Sequence, residues 1–403
     1  MRPWMLVAAA PLLFAAVPGA CLAQNLSIEL SLERESYRQA DTVQIRYTVT
    51  NHESRPVAIL KWNTPLEGLI GDPFIVLLDG EERKFRGAMA SRTDPVASNW
   101  ALLPPNGSLT ASIDLAGAYD LTAAGAYEIR ARHGFHHVAF DKIPNLRVKA
   151  LQGREVRSNT VRLRMLDRRV APEAALTGPS GQGAISSFVG CTAPQQTSLN
   201  TAFGAMSTKA VTVTSTVGGW TCSDWDQSAA AKTMFGAPCA AAGLTKVQGV
   251  TSTVSTRAAG TVILDCSGTN TCSGPTSFCQ TAGVVAFTCL GGANSTVYAC
   301  PLVFFNYPPV NQLDSQETIL YHELSHWAMT ADTVYGCKGC ASLAAGDPTA
   351  AQNNASNYMY FAAFLTNGGA VSCGVEHLAG AAALLGLLVL VTGRRIARRM
   401  HAS

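Results

Sequence analysis

Charge is scarce in this chain of 403 residues, and neither sign dominates. Charged residues make up 14% of the sequence, and 30 Lys and Arg against 27 Asp and Glu leave a formal net charge of +3. No RNA- or DNA-binding signature is present and most of the chain is near neutral, which argues against a nucleic-acid partner. Hydrophobic residues reach 47%, which excludes a disordered chain and favours folded domains with some membrane association.

Cysteine is absent from residues 22 to 190, although the chain contains 12 cysteines. Ten of them fall between Cys191 and Cys340, and Cys373 follows. In an exported chain this cluster predicts up to five disulfides, whose pairing the sequence does not define. Because 403 residues exceed one ordinary core, we expect two domains, one free of cysteine and one rich in disulfides.

The first 23 residues have the features of a signal peptide. Arg2 precedes the apolar segment MLVAAAPLLFAAV, and CLA before Gln24 offers small residues for cleavage after Ala23. A buried first helix and a lipoprotein cleavage site at Cys21 are the alternatives. The expectation is an exported protein whose mature part is extracytoplasmic.

Residues 24–166 show the period-two alternation of β-strands. Leu26, Ile28 and Leu30 share one strand face, and a DG turn at 79–80 separates FIVLL from EERKF. Several short strands with turn residues between them predict an immunoglobulin-like antiparallel β-sandwich. This domain is interpreted as a pro-region or an accessory domain.

Two further segments divide the rest of the chain. Residues 167–187 are small, polar and broken by Pro and Gly, which predicts a linker before a second domain at 188–372. Residues 373–403 end in an uncharged run, 378–393, followed by four arginines. This pattern predicts a single hydrophobic helix with its basic end in the cytoplasm, either a membrane anchor or a sorting tail that is later removed. A buried helix of the second domain is the alternative.

The sequence YHELSH at 321–326 contains candidate metal-binding and catalytic residues. In a helix capped by Asp314, with Glu317 completing a capping box, His322 and His326 stand one turn apart on one face. Both imidazoles can then reach one zinc ion, and Glu323 can take a proton from an activated water. Two structural histidines on a buried helix are the alternative.

A zinc site needs a third protein ligand, and Asp332 in TADTVYG is the next candidate. Tyr335 follows three residues later, and its hydroxyl could donate a hydrogen bond to the oxyanion of a tetrahedral intermediate. Taken alone, Asp332 is also compatible with an ordinary loop aspartate, and Tyr335 with a buried aromatic residue.

Several segments, taken in order, resemble one known family. GCTAPQQTSLNTA, YACPLVFF, DSQETILYHELSHW, TADTVYG and NNASNYMYFAAF resemble the deuterolysin or aspzincin family of zinc endopeptidases, which includes peptidyl-Lys metalloendopeptidases. LKWNTPLEG in the sandwich is similar to the N-terminal region of bacterial members. The resemblance implies a mainly α-helical zincin-type protease domain, with zinc ligands His322, His326 and Asp332. It also implies Glu323 as general base and Tyr335 as transition-state stabiliser.

The chain departs from the family pattern in three places. Met329 replaces the glycine that opens GTxDxxYG, and the interval from His326 to Asp332 is about three residues shorter, so the chain must turn sooner after the helix. Ser356 and Met359 stand where peptidyl-Lys members carry acidic residues that receive a substrate lysine. These two residues predict an uncharged pocket without lysine specificity.

The sequence therefore predicts an exported zinc-dependent endopeptidase that acts on protein or peptide substrates. The alternative is a non-catalytic surface adhesin that keeps zinc only as structural support. CKGC, from Cys337 to Cys340, predicts a structural disulfide, with a redox pair or half of a zinc knuckle as alternatives.

Overall fold

The computed structural model describes residues 26–38, 41–132, 134–146, 151, 153–166, 185–269, 272, 278–290, 295–366 and 373. The strands of the N-terminal region are β1 (Leu26–Leu32), β2 (Ser36–Tyr37), β3 (Gln44–Asn51), β4 (Val57–Leu60), β5 (Phe74–Leu78), β6 (Glu81–Glu82), β7 (Ala88–Arg92), β8 (Trp100–Leu103), β9 (Ser108–Asp114), β10 (Gly125–Ala131), β11 (Val138–Phe140) and β12 (Val161–Met165).

Helices dominate the C-terminal region. They are α1 (Ala193–Gly218), α2 (Cys222–Gln227), α3 (Ala229–Phe235), α4 (Ala241–Ala259), α5 (Gln316–Ser325), α6 (Cys337–Gly346), α7 (Pro348–Ala351) and α8 (Ala355–Thr366). The strands are β13 (Ile185–Val189), β14 (Val262–Asp265), β15 (Val284–Cys289) and β16 (Ser295–Ala299). The prediction of a mainly helical second domain was thus incomplete, because these strands form a sheet beside the helices.

Most N-terminal strands form three sheets, with the orders β1-β3-β9, β2-β12-β10-β5-β6 and β11-β4-β8. Except for the parallel pair of β2 with β12, their neighbouring strands are antiparallel. Alternate side chains of β1 enter a core that contains Ile45, Tyr127 and Leu163. The predicted N-terminal β region is confirmed, while its immunoglobulin-like arrangement stays a prediction.

The predicted hairpin at 79–80 is confirmed, because β5 pairs with β6 across this turn. Asp79 and Gly80 both have positive φ angles, of 52° and 87°. Positive φ at both central residues suits the right-handed twist of the flanking strands, and Gly adopts it without steric cost.

Strand β7 does not belong to the N-terminal sheets. It completes the C-terminal sheet, whose order is β13-β14-β16-β15-β7, and it pairs antiparallel with β15. All five of its residues are buried, so it shows none of the alternation of a half-exposed strand. Assigning residues 24–166 to one self-contained sandwich was wrong for this strand.

Five disulfides cross-link the C-terminal region. They join Cys191 to Cys266, Cys222 to Cys239, Cys272 to Cys289, Cys279 to Cys300, and Cys337 to Cys373. The structural disulfide predicted for CKGC is present at Cys337, which pairs with Cys373, while Cys340 is a buried free thiol. Both cysteines are buried at the start of α6, where Cys340 lies near the amide of Asn354.

Several predicted segments lie outside the described residues. They are the signal peptide at 1–23, linker residues 167–184, and the hydrophobic run at 378–393. Strand β13 begins at Ile185, within the end of the predicted linker. Among the residues that the structure describes, no helix combines the length and apolar character needed to cross a bilayer.

Candidate zinc and peptide-bond site

Helix α5 and the 3-10 turn His326–Ala328 that follows it carry the YHELSH sequence through the middle of the C-terminal region. All residues of α5, Gln316–Ser325, are buried, because α1, α4 and α8 pack around it. The N-cap is Ser315, whose hydroxyl accepts a hydrogen bond from the Thr318 amide and whose amide donates to the Thr318 side chain. The predicted cap at Asp314 was therefore wrong by one residue.

The chain reverses directly after this helix and returns to the two histidines. His326 begins a single 3-10 turn that ends at Met329, which has a left-handed φ of 62° where the family pattern has glycine. The reversal brings Asp332 Oδ1 to 3.0 Å from His322 Nε2, and Oδ2 to 3.5 Å from His326 Nε2. The early turn required by the short interval is thus present.

The three side chains have the donor set and spacing of a zinc site. Their potential ligand atoms all lie within 4.8 Å of one another. Tetrahedral zinc with bonds of about 2.1 Å spaces its ligand atoms by roughly 3.4 Å. The distances of 3.0 and 3.5 Å from the Asp332 oxygens to the two imidazole nitrogens are close to this spacing. Among the described residues, His322 Nε2, His326 Nε2 and Asp332 Oδ1 are buried without a well-formed hydrogen bond, as expected of atoms that face a metal.

Neighbouring groups orient both imidazoles. The Nδ1 of His326 lies 2.9 Å from the carbonyl oxygen of Thr330, and the Nδ1 of His322 lies 3.3 Å from the Ser356 hydroxyl. An Nδ1–H that donates to such an acceptor leaves Nε2 unprotonated for a metal. The residues present therefore fit a zinc ion.

Complete burial sets the protonation of the site. It lowers the pKa of His326 to about 4, which keeps the imidazole neutral, and raises the pKa of Glu323 to about 8. Burial also opposes the ionisation of Asp332, but the electrostatic interactions with His326 and His322 and the hydrogen bonds from His322 and the Ala90 amide outweigh it and lower the pKa of that carboxyl. For His322, the effect of burial is outweighed by Asp332, which raises the imidazole pKa.

Glu323 and Tyr335 both contact the peptide group between Ala90 and Ser91 in β7. The Tyr335 hydroxyl donates to the carbonyl oxygen of Ala90 at 3.0 Å, and the amide of Ser91 donates to Glu323 Oε1 at 3.2 Å. The amide of Ala90 donates to Asp332 Oδ2 at 2.9 Å. All five predicted site residues thus lie together, around the peptide bond between Ala90 and Ser91.

A pocket opens beside this peptide bond and next to His322. Its lining includes Ser91, Tyr307, Asp314, Ser356, Met359 and Tyr360. The Tyr360 hydroxyl donates to Asp314 Oδ1 at 2.7 Å. The prediction of an uncharged pocket was wrong, because Asp314 and Arg92 line it together with Ser356 and Met359.

Sequence reasoning missed the N-terminal residues that reach this site. Arg92 is buried and pairs with Glu67 at 2.7 Å, and the Asn63 side-chain amide donates to the carbonyl oxygen of Asp332. More than 200 residues separate these side chains from Asp332 in sequence, and no local pattern distinguishes them. Asn354, which binds the backbone of Thr333 and Val334, lies in the NNASNYMYFAAF segment that matched the family.

Comparisons with known proteins agree with the geometry. The family described as lysine-specific metallo-endopeptidase, the aspzincins, matches residues 223–363. An extracellular protease of Aeromonas hydrophila is 30% identical over 351 residues, which cover 84% of this chain and 92% of that protein. A peptidyl-Lys metalloendopeptidase of Grifola frondosa is 26% identical, with the same coverage of both chains. A solved zinc peptidase from Grifola frondosa covers 43% of this chain and 98% of its own, with 26% identity and a TM-score of 0.36.

A buried HExxH helix with a returning aspartate defines a zinc-dependent peptidase. The chain belongs to the aspzincin family of metalloendopeptidases. It is therefore a zinc-dependent enzyme that hydrolyses peptide bonds, and the adhesin alternative is not favoured.

Proposed function

We propose that five side chains perform the hydrolysis in the following roles. His322, His326 and Asp332 hold the zinc, Glu323 takes a proton from the attacking water, and Tyr335 donates a hydrogen bond to the developing oxyanion. Zinc bound there lowers the pKa of water to about 7 and polarises the peptide carbonyl.

The position of the Ala90–Ser91 peptide bond carries this proposal. Hydrolysis needs a hydrogen-bond donor at the carbonyl oxygen, which becomes an oxyanion, and a proton carrier at the leaving nitrogen. The Tyr335 hydroxyl contacts the Ala90 carbonyl oxygen, and Glu323 contacts the Ser91 amide. The two side chains therefore stand on the two ends of one peptide group, as these roles require.

Tyr335→Phe tests the oxyanion role, because it removes one hydroxyl. We expect kcat to fall about a hundredfold with zinc content and folding unchanged. Tyr321→Phe is the matched control, since Tyr321 is equally buried on α5 and its hydroxyl has no hydrogen-bond partner among the described residues. Equal turnover in both variants would remove Tyr335 from the mechanism.

We further propose that the pocket beside Ser91 accepts a basic side chain on the carboxyl side of the cleaved bond. Asp314 contributes its carboxylate to this pocket, whose lining also includes Arg92, a cation that is paired with Glu67. Ser356 and Met359 occupy the family's acidic positions. Relatives named peptidyl-Lys metalloendopeptidases support the same preference.

Two matched peptides, with lysine or glutamine after the scissile bond, test this preference. Wild-type enzyme should prefer lysine, and Asp314→Asn should reduce the ratio of the two kcat/KM values at least tenfold. An unchanged ratio would show that Asp314 does not select the substrate.

Export and the C-terminal tail complete the proposal. Five disulfides and the extracellular protease relative support an exported protein, with residues 1–23 as its signal peptide. We propose that residues 374–403, which follow the disulfide between Cys337 and Cys373, form a membrane or sorting helix that is dispensable for catalysis.

A further inference from the structure

We propose that β7 inhibits the enzyme in cis by occupying the groove in which a substrate peptide binds. The N-terminal region is then an inhibitory module, and peptide hydrolysis requires β7 to leave the groove. This inference rests on the catalytic roles proposed above and adds their regulation.

The groove is the open edge of β15. Without β7, β15 would be the terminal strand of the sheet and would present unpaired backbone groups next to α5. An extended peptide can add to such an edge through main-chain hydrogen bonds and is then held largely independently of its sequence. Strand β7 uses this edge along its whole length, from Ala88 opposite Cys289 to Arg92 opposite Val284.

Strand β7 also occupies the polar atoms of the catalytic site. Its backbone contacts Asp332 Oδ2, Glu323 Oε1 and the Tyr335 hydroxyl. A substrate needs Glu323 and Tyr335 for its own scissile peptide, so it cannot be bound productively while β7 is in place.

The pocket beside the site is poorly filled by this occupant. Ser91 lines it, and its hydroxyl is buried without a hydrogen-bond partner among the described residues. Arg92 of β7 also lines the pocket, and its guanidinium pairs with Glu67. Ser91 carries no charge that could pair with Asp314. The affinity of β7 for the groove therefore comes from its backbone and from its attachment to the N-terminal region.

That attachment is built from buried contacts beside the groove. Arg92 Nη2 binds Glu67 Oε1 at 2.7 Å, the Gly71 amide donates to the Ala88 carbonyl at 2.8 Å, and Asn63 binds the backbone of Asp332. A Cβ at Gly71 would collide with the Asn63 side chain, and the φ of +75° at Gly71 favours glycine, so a larger residue would displace Asn63 and strain the backbone. A strand held in this way rebinds at an effective concentration in the millimolar range, which a dilute substrate does not match.

Hydrolysis by the zinc-loaded full chain tests the inhibition. Ala90→Pro removes the amide that binds Asp332 and disrupts the pairing with β15. If the groove is open in about 1–10% of wild-type molecules, this change should raise kcat/KM about ten- to a hundredfold. Glu67→Gln, which removes the partner of Arg92 without changing β7 itself, should also raise kcat/KM. Ser108→Pro, at the exposed start of edge strand β9, is the control and should leave it unchanged.

Peptide binding tests the occupancy without any need for catalysis. The probe is a fluorescent peptide of residues 85–95, FRGAMASRTDP, titrated by anisotropy into zinc-loaded Glu323→Gln protein with and without Ala90→Pro. At least tenfold tighter binding after Ala90→Pro is expected. Equal binding to both proteins would overturn the inhibition, whatever the enzyme activity is.

The two assays separate the inhibition from the catalytic roles. If Ala90→Pro tightens probe binding but no variant hydrolyses the substrate, the catalytic roles are contradicted, while the occupation of the groove by β7 stands. If wild type and Ala90→Pro hydrolyse the substrate equally, and adding Glu323→Gln abolishes hydrolysis by both, the catalytic roles stand and the inhibition is overturned. Cleavage of wild type between Ala90 and Ser91 upon zinc addition would also overturn it, because β7 would then be a substrate.

Discussion

Replacing Glu67 by glutamine removes the carboxylate that pairs with the buried guanidinium of Arg92. The Arg92 and Glu67 side chains are 0% and 4% exposed, and one contact of 2.7 Å joins them. The Nε and Nη1 atoms of Arg92 have no hydrogen-bond partner among the described residues. The Glu67 carboxylate therefore balances much of the buried positive charge of Arg92.

The structure sets the size of the effect. Removing one partner of a buried ion pair costs roughly 3–5 kcal/mol, because the other charge stays buried and uncompensated. Glutamine still offers an oxygen that can accept a hydrogen bond, so we expect the lower end, about 3 kcal/mol. At this interface the loss should appear as easier release of β7, and it corresponds to a factor of about 150 in the opening equilibrium.

Urea unfolding followed by tryptophan fluorescence measures this loss. Trp62 is a local reporter, because its ring lies 5.4 Å from the Arg92 guanidinium. Glu155→Gln is the control, because it breaks an ion pair whose side chains are 81% and 73% exposed and should leave the transition unchanged. Replacing both buried partners, Glu67→Leu with Arg92→Met, should recover most of the loss. If Glu67→Gln and Glu155→Gln unfold at the same urea concentration, the buried pair does not hold β7 in place.

Two further changes test the support of the zinc site and the role of the tail. Asn354 accepts hydrogen bonds from the Thr333 and Val334 amides, so Asn354→Ala should weaken zinc binding ten- to a hundredfold in competition with a chromogenic chelator. Asn353→Ala, whose amide binds only local backbone, is the control, and equal zinc affinity would contradict the role of Asn354. Deleting residues 374–403 keeps Cys373 for its disulfide and should give a soluble, active enzyme. Aggregation of this truncated protein would show that the tail belongs to the folded domain.

The site could be predicted from sequence where its geometry is local. His322 and Glu323 lie on α5 and His326 is its C-cap in helical conformation, so their spacing alone fixes their relation. Asp332 follows within one reversal of the chain, and the family pattern identified it despite the shorter interval. The strands of the N-terminal region were predictable for the same reason, since period-two alternation is local.

The features missed by sequence depend on distant contacts. Strand β7 is entirely buried and pairs with β15 nearly 200 residues later, so neither alternation nor spacing reveals it. The pairing of Cys337 with Cys373 instead of Cys340 likewise follows from tertiary packing. Asp314 and Ser315 are adjacent and both suit an N-cap, so the sequence did not distinguish Ser315, which caps α5, from Asp314, which lines the pocket.

The most direct test of the account compares zinc content and hydrolysis in Glu323→Gln and Asp332→Ala, each in wild-type and Ala90→Pro backgrounds. Glu323→Gln should retain one zinc per chain and lose nearly all kcat/KM, because it removes the proton acceptor and keeps the ligands. Asp332→Ala should lose zinc at chelator concentrations that leave the wild type loaded. Wild-type hydrolysis by Glu323→Gln, or unchanged zinc affinity in Asp332→Ala, would contradict the proposed mechanism.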